Sequence, residues 1–176
     1  EVSMTINKYL ILVSGKTSNV VIHESGFSKE LFLRDYKFCP DEQFLIECGK
    51  DNFFKPNSDT TGIVGDLASI SSKDLLCVSH LYPYKNIERL LTAFKEYKVR
   101  SDDNAKLYLA GKAAFPAYYE SLKELVIELD LDGDVIFCGM VSRDMLRFAY
   151  STCRLFVFPS LCESSGYTLI EAMSCG

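Results

Sequence analysis

The sequence has no excess of positive charge, and this absence limits the partners it can have. Its 176 residues carry 19 Lys and Arg against 24 Asp and Glu, for a formal net charge of −5. A protein that binds a phosphate backbone needs clustered basic side chains. We therefore expect no nucleic-acid partner.

Long apolar runs are lacking as well. The longest run near the amino end, residues 9–13, falls far short of the roughly 20 residues that cross a bilayer. We expect neither a membrane span nor a signal peptide there.

Paired metal ligands are the third absence. The seven cysteines include no Cys-x-x-Cys pair, and His23 and His80 are the only histidines. A zinc site needs a cluster of such ligands, so we do not expect one. An odd number of scattered cysteines, several inside apolar runs, is typical of reduced, mostly buried thiols in a cytoplasmic protein.

What is present resembles the composition of one globular domain or slightly more, with 48% hydrophobic and 24% charged residues. The chain starts at Glu1 instead of a methionine and stops at Gly176, inside an expected helix. We interpret it as a fragment of a longer protein.

From about residue 75 onward, short apolar runs alternate with segments of helical periodicity. This alternation predicts consecutive β-α units and a Rossmann-like, doubly wound parallel sheet of the α/β class. The strands are expected at 75–78, 106–110, 135–138 and 155–158. The first two helices carry the stripes Ile87, Leu90, Leu91, Phe94 and Leu122, Leu125, Val126, Leu129. Two more helices are expected, one from the N-cap Ser142 to about residue 151 and one from about Thr168.

The first 56 residues have a different character. We expect a helix at 6–13, a strand at 20–23, a helix at 28–35 and a strand at 44–47. Residues 56–73 are rich in Ser, Asp, Thr and Gly and are typical of a linker or exposed loop. Periodicity does not decide whether the amino part is an edge of the same sheet or a remnant of another domain.

The segment 159–176 is the richest in candidate chemistry. A polar turn with Gly166 joins a strand to a helix, and the N–H groups of a first helical turn form an anion site. Glu163 and Glu171 bracket this turn, and their carboxylates can accept hydrogen bonds from sugar hydroxyls. Two structural alternatives stay open: Thr168 and Glu171 also fit a capping box, and Glu163 alone fits a solvated loop acid.

A second candidate loop spans residues 79–86. Asn86 can cap the next helix, which places Lys85 beside a positive helix terminus, suited to a diphosphate. Alternatively, Lys85 simply faces solvent. His80 can donate to a phosphate or hydrogen-bond the backbone.

Two glycines follow strands in the same region. Gly139 permits either a close approach to a flat base or a tight turn, and Gly111 has the same two interpretations. The sequence contains no Gly-x-Gly-x-x-Gly and no Walker lysine motif, which weakens the NAD and ATPase hypotheses.

Several motifs occur together in the order of one known family. They are residues 76–81 with Lys85-Asn86, Leu109-Ala110-Gly111, residues 135–139, Phe158-Pro159-Ser160, Glu163-x7-Glu171 and Gly176. In this order they resemble the carboxyl-terminal, donor-binding domain of glycosyltransferase family four, retaining enzymes of the GT-B fold that use nucleotide sugars. Upstream, residues 48–51 and 54–56 resemble the segment that crosses between the two domains, and residues 20–25 resemble the last strand of the acceptor domain.

The resemblance implies a role for each matching residue. Glu163 would contact the donor sugar hydroxyls and, with Lys85, would be catalytic. Lys85, helped by His80 and the backbone of Gly166, Tyr167 and Thr168, would hold the diphosphate. Glu171 would bind the ribose, and the loop of Gly139, Met140 and Val141 would lie against the base. Neither a metal nor another cofactor would be needed, because the nucleotide sugar is the substrate and the lysine and the helix terminus supply positive charge.

The resemblance also implies an organisation and a function. Residues 1–56 would be a remnant of the acceptor domain with its crossing segment, 57–74 a linker, and 75–176 an incomplete nucleotide-sugar-binding domain. The whole enzyme would transfer a hexosyl group, mannosyl or glucosyl, to a glycan or lipid acceptor with retention. It would be cytoplasmic, with a peripheral membrane association of the full-length protein open, and this piece alone would be inactive.

Two departures keep an alternative open. The family usually has an arginine where His80 stands, and an aromatic residue where Ser165 stands. The chain could therefore be a non-catalytic nucleotide-binding or regulatory module of the same fold. A flavodoxin-like receiver is a weaker hypothesis, because no acidic cluster follows the first strand.

Overall fold

Residues 2–36, 42–101 and 104–176 are described by a computed structural model of the chain. The chain divides into two units, Glu1–Gly49 and Lys50–Gly176. The first unit is a β-α-β element with a preceding helix, in the order α1 (Val2–Thr17), β1 (Val20–His23), α2 (Gly26–Tyr36) and β2 (Glu42–Leu45). Strands β1 and β2 are parallel.

The helices of the first unit are longer than the sequence pattern predicts, and local hydrogen bonds explain why. The Thr17 hydroxyl donates to the Val13 carbonyl and prolongs α1 at its carboxyl end. Ser25 and Ser28 exchange backbone and hydroxyl hydrogen bonds before α2, which starts that helix two residues early. Strand β2 also lies two residues before its expected place.

The second unit contains a four-stranded parallel sheet with helices between its strands. Its elements are β3 (Leu75–Val78), α3 (Ile87–Arg100), β4 (Leu107–Ala110), α4 (Pro116–Glu128), β5 (Val135–Gly139), α5 (Arg143–Thr152), β6 (Leu155–Phe156) and α6 (Tyr167–Cys175). The strand order is β5-β4-β3-β6. The predicted α/β class and parallel sheet are therefore confirmed.

Alternate side chains of the central strands enter two separate cores. Leu75 and Cys77 of β3 pack with the apolar stripes of α3 and α4 on one face. Leu76 and Val78 pack with α5 and α6 on the other face. Because both faces are covered, the central strands are apolar throughout, and this continuity is what made them recognisable in the sequence.

The expected linker is part of the second core. A short 3₁₀ turn, Asp66–Ser69, precedes β3, and both Leu67 and Ile70 are buried against the α5 face of the sheet. The polar composition of 57–74 concealed these two apolar anchors, so this segment is not simply an exposed connection.

Strand β6 is shorter than the expected 155–158. It lies at one side of the described sheet and pairs only with β3, in the register Leu75 to Leu155. Val157 still donates to the Leu76 carbonyl at 2.8 Å, but Pro159 has no N–H with which to continue the ladder.

The strand order reverses between β3 and β6. From β3 the chain moves outward through β4 to β5, and it then returns to place β6 on the other side of β3. Loops after β3 and β6 consequently part at the carboxyl ends of these strands, which opens a crevice where doubly wound sheets bind ligands.

Asp74 lies at the opposite, amino-terminal edge of this sheet and connects two segments there by hydrogen bonds. Its carboxylate accepts hydrogen bonds from the Ser71 N–H and hydroxyl, at 2.8 and 2.7 Å, and from the Lys106 N–H at 2.8 Å. The residue is buried, and all three donors belong to the chain itself. Asp74 therefore joins the segment before β3 to the start of β4.

The cysteines are less uniformly buried than expected. Cys77 and Cys175 are buried and Cys162 is exposed, whereas Cys39 lies outside the described residues. The others that are described, Cys48, Cys138 and Cys153, are partly buried thiols. Burial raises the pKa of Cys77 to about 12, which makes it an unreactive core thiol.

Candidate functional site

A cavity of about 320 Å³ lies at the carboxyl ends of β3 and β4. It is bordered by the loops that follow β3, β4, β5 and β6 and by the start of α6. Its lining includes these residues singled out in the sequence: His80, Lys85, Gly111, Met140, Val141, Glu163, Gly166, Tyr167 and Thr168. The structure thus brings together most of the predicted site.

Lys85 and Glu163 form an ion pair at the centre of this arrangement. The Lys85 ammonium donates to a carboxylate oxygen of Glu163. Their side chains are only 14% and 25% exposed. Neither group is therefore the simple solvent-facing charge of the structural alternatives.

An aromatic ring supports the lysine. The Lys85 nitrogen lies 5.0 Å from the centre of the Tyr84 ring, within reach of a cation–π interaction. The Tyr82 ring stacks on Tyr84 with centroids 5.5 Å apart. These rings reduce the hydration of the ammonium and limit where it can move.

Backbone contacts fix the two loops that carry the ion pair. Leu161 donates its N–H to the Tyr84 carbonyl at 2.9 Å, and the Asn86 amide donates to the Pro159 carbonyl at 3.1 Å. Asn86 has a left-handed backbone with φ of 60°, and its side chain does not cap α3. The expected capping role of Asn86 is wrong, because its amide joins the two loops instead.

The amino end of α6 faces the cavity without a side-chain cap. Gly166 occupies the N-cap position with φ of 65°, and no side chain accepts a cap hydrogen bond there. Thr168 lies inside the first turn of the helix. The capping-box interpretation of Thr168 and Glu171 is therefore wrong.

Glu171 has a different partner, and it does not line the cavity. Its carboxylate accepts a hydrogen bond of 3.0 Å from the Tyr150 hydroxyl. Partial burial raises the pKa of Glu171, while the Tyr150 hydrogen bond and the positive charge of Arg143 act in the opposite direction. Glu171 lies on α6 about one helical turn beyond Thr168, and its carboxylate is held by Tyr150 of α5.

Tyr150 is suited to the role of hydrogen-bond donor. It is buried between Phe54 and Phe156, with ring centroids at 5.9 and 5.4 Å. Burial and the adjacent Glu171 carboxylate raise the pKa of Tyr150, so its hydroxyl keeps its proton.

His80 lines the cavity and also contacts the backbone. Its Nδ1 accepts a hydrogen bond of 3.1 Å from the Lys112 N–H. A neutral ring bonded in this way carries its proton on Nε2. The predicted backbone contact of His80 is confirmed, and its second nitrogen keeps a donor.

The two glycines serve different geometrical needs. A Cβ on Gly111 would lie 1.9 Å from the Ser79 carbonyl oxygen, so Gly111 allows two backbone segments to approach closely. A Cβ on Gly139 would meet nothing within 4 Å, and Gly139 has φ of 62°. The turn interpretation therefore describes Gly139, which is not among the lining residues although Met140 and Val141 are.

Part of the cavity lining, most of it apolar, had no predicted role. The lining residues with no predicted role are Val78, Ser79, Tyr82, Tyr84, Ala110, Leu146, Phe158 and Ser164. Tyr82 and Tyr84, on either side of Pro83, were visible as aromatic residues in a candidate loop. Leu146 belongs to a helix stripe and carried no signal of its own.

Two absences concern only the described parts of the chain. Residues 2–36, 42–101 and 104–176 contain no group of three His, Cys, Asp or Glu side chains placed to hold a metal ion. Within the same ranges, no helix has both the length and the apolar character needed to cross a membrane.

Comparison with known families gives a match that covers most of the second unit. The sequence profile described as glycosyl transferases group 1 matches residues 68–176, more than half of the chain. The chain belongs to the group 1 glycosyl transferases. The cavity, the ion pair and the start of α6 all lie within the matched residues.

Curated relatives share this region. The serotype-specific mannosyltransferase WbdA of Escherichia coli is 34% identical over 112 residues, which are 63% of this chain and 14% of WbdA. The alpha-monoglucosyldiacylglycerol synthase of Streptococcus pneumoniae is 32% identical over 104 residues, or 59% of this chain and 23% of the synthase. The matched regions thus span less than a quarter of the length of these two relatives.

A solved structure has the same fold. Anabaena Alr3699/HepE, determined in complex with UDP and glucose, superposes with a TM-score of 0.78 at 21% identity. The likeness covers 96% of this chain and 45% of that protein. The α/β fold with its parallel sheet therefore matches that of GT-B glycosyltransferases.

Proposed function

We propose that the second unit binds a nucleotide-sugar donor for a retaining hexosyltransferase of glycosyltransferase family four. The observation that carries this proposal is the Lys85–Glu163 pair in a cavity at the point where strand order reverses. A cation and a carboxylate at this position fit the two halves of a nucleotide sugar, because the diphosphate is anionic and the sugar is rich in hydroxyls.

The diphosphate lies, in this proposal, between Lys85 and the amino end of α6. Lys85 supplies a full positive charge, and the helix supplies the partial positive charge of its dipole beside Gly166, Tyr167 and Thr168. His80 contributes a hydrogen-bond donor from Nε2. These groups would stabilise the charge that develops on the leaving diphosphate, so no metal ion is required.

The remaining parts of the donor are assigned by position. Glu163 accepts hydrogen bonds from sugar hydroxyls and acts with Lys85 in catalysis. Glu171, oriented by Tyr150, binds the ribose from the α6 side. The base lies against the loop of Gly139, Met140 and Val141, where Met140 and Val141 already line the cavity.

The sugar, the acceptor and the compartment complete the proposal. The named relatives include mannosyl and glucosyl transferases, which supports a hexosyl group carried to a glycan or lipid acceptor. Residues 1–56 are assigned to the acceptor domain and its crossing segment. Free thiols fit a cytoplasmic enzyme, with peripheral membrane contact through the whole protein.

This chain on its own is expected to bind the donor without transferring the sugar. Retaining transfer requires donor and acceptor at near-attack geometry and requires water to be excluded from the activated sugar. The expected residual reaction is slow hydrolysis of the donor. Incubation with labelled nucleotide sugars and lipid or glycan acceptors tests this: acceptor-dependent turnover at enzyme-like rates would contradict it.

Titration calorimetry with UDP, GDP and ADP tests donor binding directly. We expect one of the three to bind this chain, and Lys85→Ala to weaken that binding by about tenfold. Lys98→Ala is the matched control, because Lys98 forms an ion pair of similar exposure with Asp134, away from the cavity. Absence of binding by all three nucleotides at millimolar concentration would refute the proposal.

The non-catalytic alternative rests on one observation. His80, where the family usually has arginine, uses one of its nitrogens to hold the Lys112 backbone. Sugar-transfer assays of the full-length protein, with His80 and with the His80→Arg substitution, distinguish the two hypotheses. A regulatory module stays inactive with either residue, whereas an enzyme transfers sugar with His80 in place.

A further inference from the structure

We infer that Glu163 makes nucleotide affinity depend on whether a sugar is attached, so that the bare nucleoside diphosphate is bound weakly. This inference rests on the proposed function and adds a specificity role to Glu163. It starts from the hydrogen bond that the Lys85 ammonium donates to the Glu163 carboxylate in the cavity.

The charge of Glu163 opposes the binding of a bare nucleoside diphosphate at Lys85. Lys85 carries the positive charge that would attract a phosphate group, and its ammonium forms an ion pair with the Glu163 carboxylate. A nucleoside diphosphate that approaches Lys85 must displace this carboxylate or lie beside it. Two anions would then share one cation in a place where the side chains are mostly shielded from water, which disfavours the complex.

Hydrogen bonds also restrain the two loops that carry Lys85 and Glu163. The Leu161–Tyr84 and Asn86–Pro159 hydrogen bonds hold the loop after β6 against the loop after β3. Because these bonds tie the loop at Pro159 and Leu161, just before Glu163 in the chain, they oppose a loop movement that would withdraw Glu163 from Lys85. Rotation of the Glu163 side chain separates the charges, and the separated carboxylate then needs new donors.

Sugar hydroxyls are such donors. When the nucleotide carries a sugar, hydroxyl groups can donate to the Glu163 carboxylate while Lys85 turns to the diphosphate. When the sugar is absent, the displaced carboxylate has no replacement donor from the ligand and returns to Lys85. Glu163 therefore favours the sugar-bearing donor over the nucleoside diphosphate that remains after transfer, and it assists release of that product.

Glu163→Gln separates this role from ordinary substrate binding. The variant frees Lys85, so we expect UDP, GDP or ADP, whichever binds, to bind about fivefold more tightly than to the wild type. Affinity for the corresponding UDP-glucose, GDP-mannose or ADP-glucose is expected to stay equal or fall. A residue that merely holds the loop or the sugar would not produce opposite changes for the two ligands.

Two further variants complete the experiment, measured by titration calorimetry on the full chain. Glu163→Asp keeps the charge and is expected to keep weak nucleoside-diphosphate binding. Asp134→Asn removes the same charge from the Lys98 ion pair and is expected to change neither affinity. Circular dichroism checks that each variant is folded, and Glu163→Ala, which also removes the carboxylate, takes the place of Glu163→Gln if that variant does not fold.

The outcomes separate the two levels of the proposal. The inference is supported if Glu163→Gln binds the nucleoside diphosphate more tightly than the wild type does, while Glu163→Asp and Asp134→Asn do not. Nucleotide binding by the wild type with no gain in Glu163→Gln overturns the inference and leaves the proposed function standing. Loss of nucleotide binding in every protein, wild type included, overturns both.

Discussion

The carboxylates at the two edges of the four-stranded sheet differ in how completely the chain itself supplies their hydrogen-bond partners. At the amino-terminal edge, Asp74 is buried and accepts three hydrogen bonds from fixed donors of the chain. At the carboxyl-terminal edge, Glu163 is paired with one lysine, Lys85, beside a cavity and an uncapped helix. The first edge satisfies its polar groups internally, whereas the second holds them where a ligand can compete.

This difference shows how one sheet separates stability from function. A carboxylate with all its partners supplied by the chain adds to the free energy of unfolding and gains nothing from a ligand. A pair that can exchange partners contributes less to stability and more to recognition. We expect substitutions at the two edges to follow this division.

The largest effect is expected where two backbone segments touch at the carboxyl edge. Gly111→Ala would place a Cβ 1.9 Å from the Ser79 carbonyl oxygen, and one segment would have to move. We expect the free energy of unfolding to fall by about 3 kcal/mol, measured by urea denaturation.

Gly139→Ala is the control for that substitution. The new Cβ would meet no atom within 4 Å, and only the positive φ opposes it. A loss of about 1 kcal/mol is expected. Equal losses for Gly111 and Gly139 would show that backbone conformation, and not the contact with Ser79, requires glycine at both positions.

The next effect tests the amino edge. Asp74→Ala leaves the Ser71 and Lys106 donors unsatisfied, and we expect a loss of about 2 kcal/mol in the free energy of unfolding. Nucleotide affinity of the folded protein is expected to stay unchanged, because Asp74 lies at the opposite edge from the cavity. A change in that affinity would contradict the division between the edges.

Asp134→Asn is the matched comparison for Asp74. Asp134 precedes β5 at the same edge, but its carboxylate forms only a partly exposed ion pair with Lys98. Its loss is expected to cost less than about 1 kcal/mol.

The smallest effect concerns pH. Burial raises the pKa of Glu171, so the folded chain binds this proton more tightly than the unfolded chain does. Stability from this group is therefore full below the ordinary glutamate pKa of 4.5 and declines as pH rises through the raised value. We expect Glu171→Gln to remove a slope of less than one proton from unfolding measured across that window. An unchanged slope would contradict the stated burial of Glu171.

Much of the second unit's fold could be predicted from local patterns. The stripe Ile87, Leu90, Leu91 and Phe94 is buried, and Ser142 caps α5 by accepting from the Met145 N–H, as expected. Both features depend on residues a few positions apart, and periodicity and capping act over that range. The burial of Leu67 and Ile70 depended on tertiary packing, so a polar segment concealed it.

Residues of the candidate site could be predicted from the sequence, but the side chains with which they pair could not. Lys85 and Glu163 were both candidates, yet they are 78 positions apart, and no local pattern pairs them. Glu171 fitted a capping box four residues long, but Tyr150, from another helix, is its partner. Which polar group meets which is decided by the order of strands, and the sequence motifs do not contain that order.

One measurement tests the central claim most directly, namely that the carboxyl-terminal edge is the nucleotide site. Amide chemical shifts of the labelled chain would be recorded by nuclear magnetic resonance during titration with UDP, GDP or ADP. The account predicts shifts at residues 80–85, 139–141 and 166–168, with none at 71–74 and 134. Shifts confined to the amino-terminal edge, or no shift with any of the three nucleotides, would contradict it.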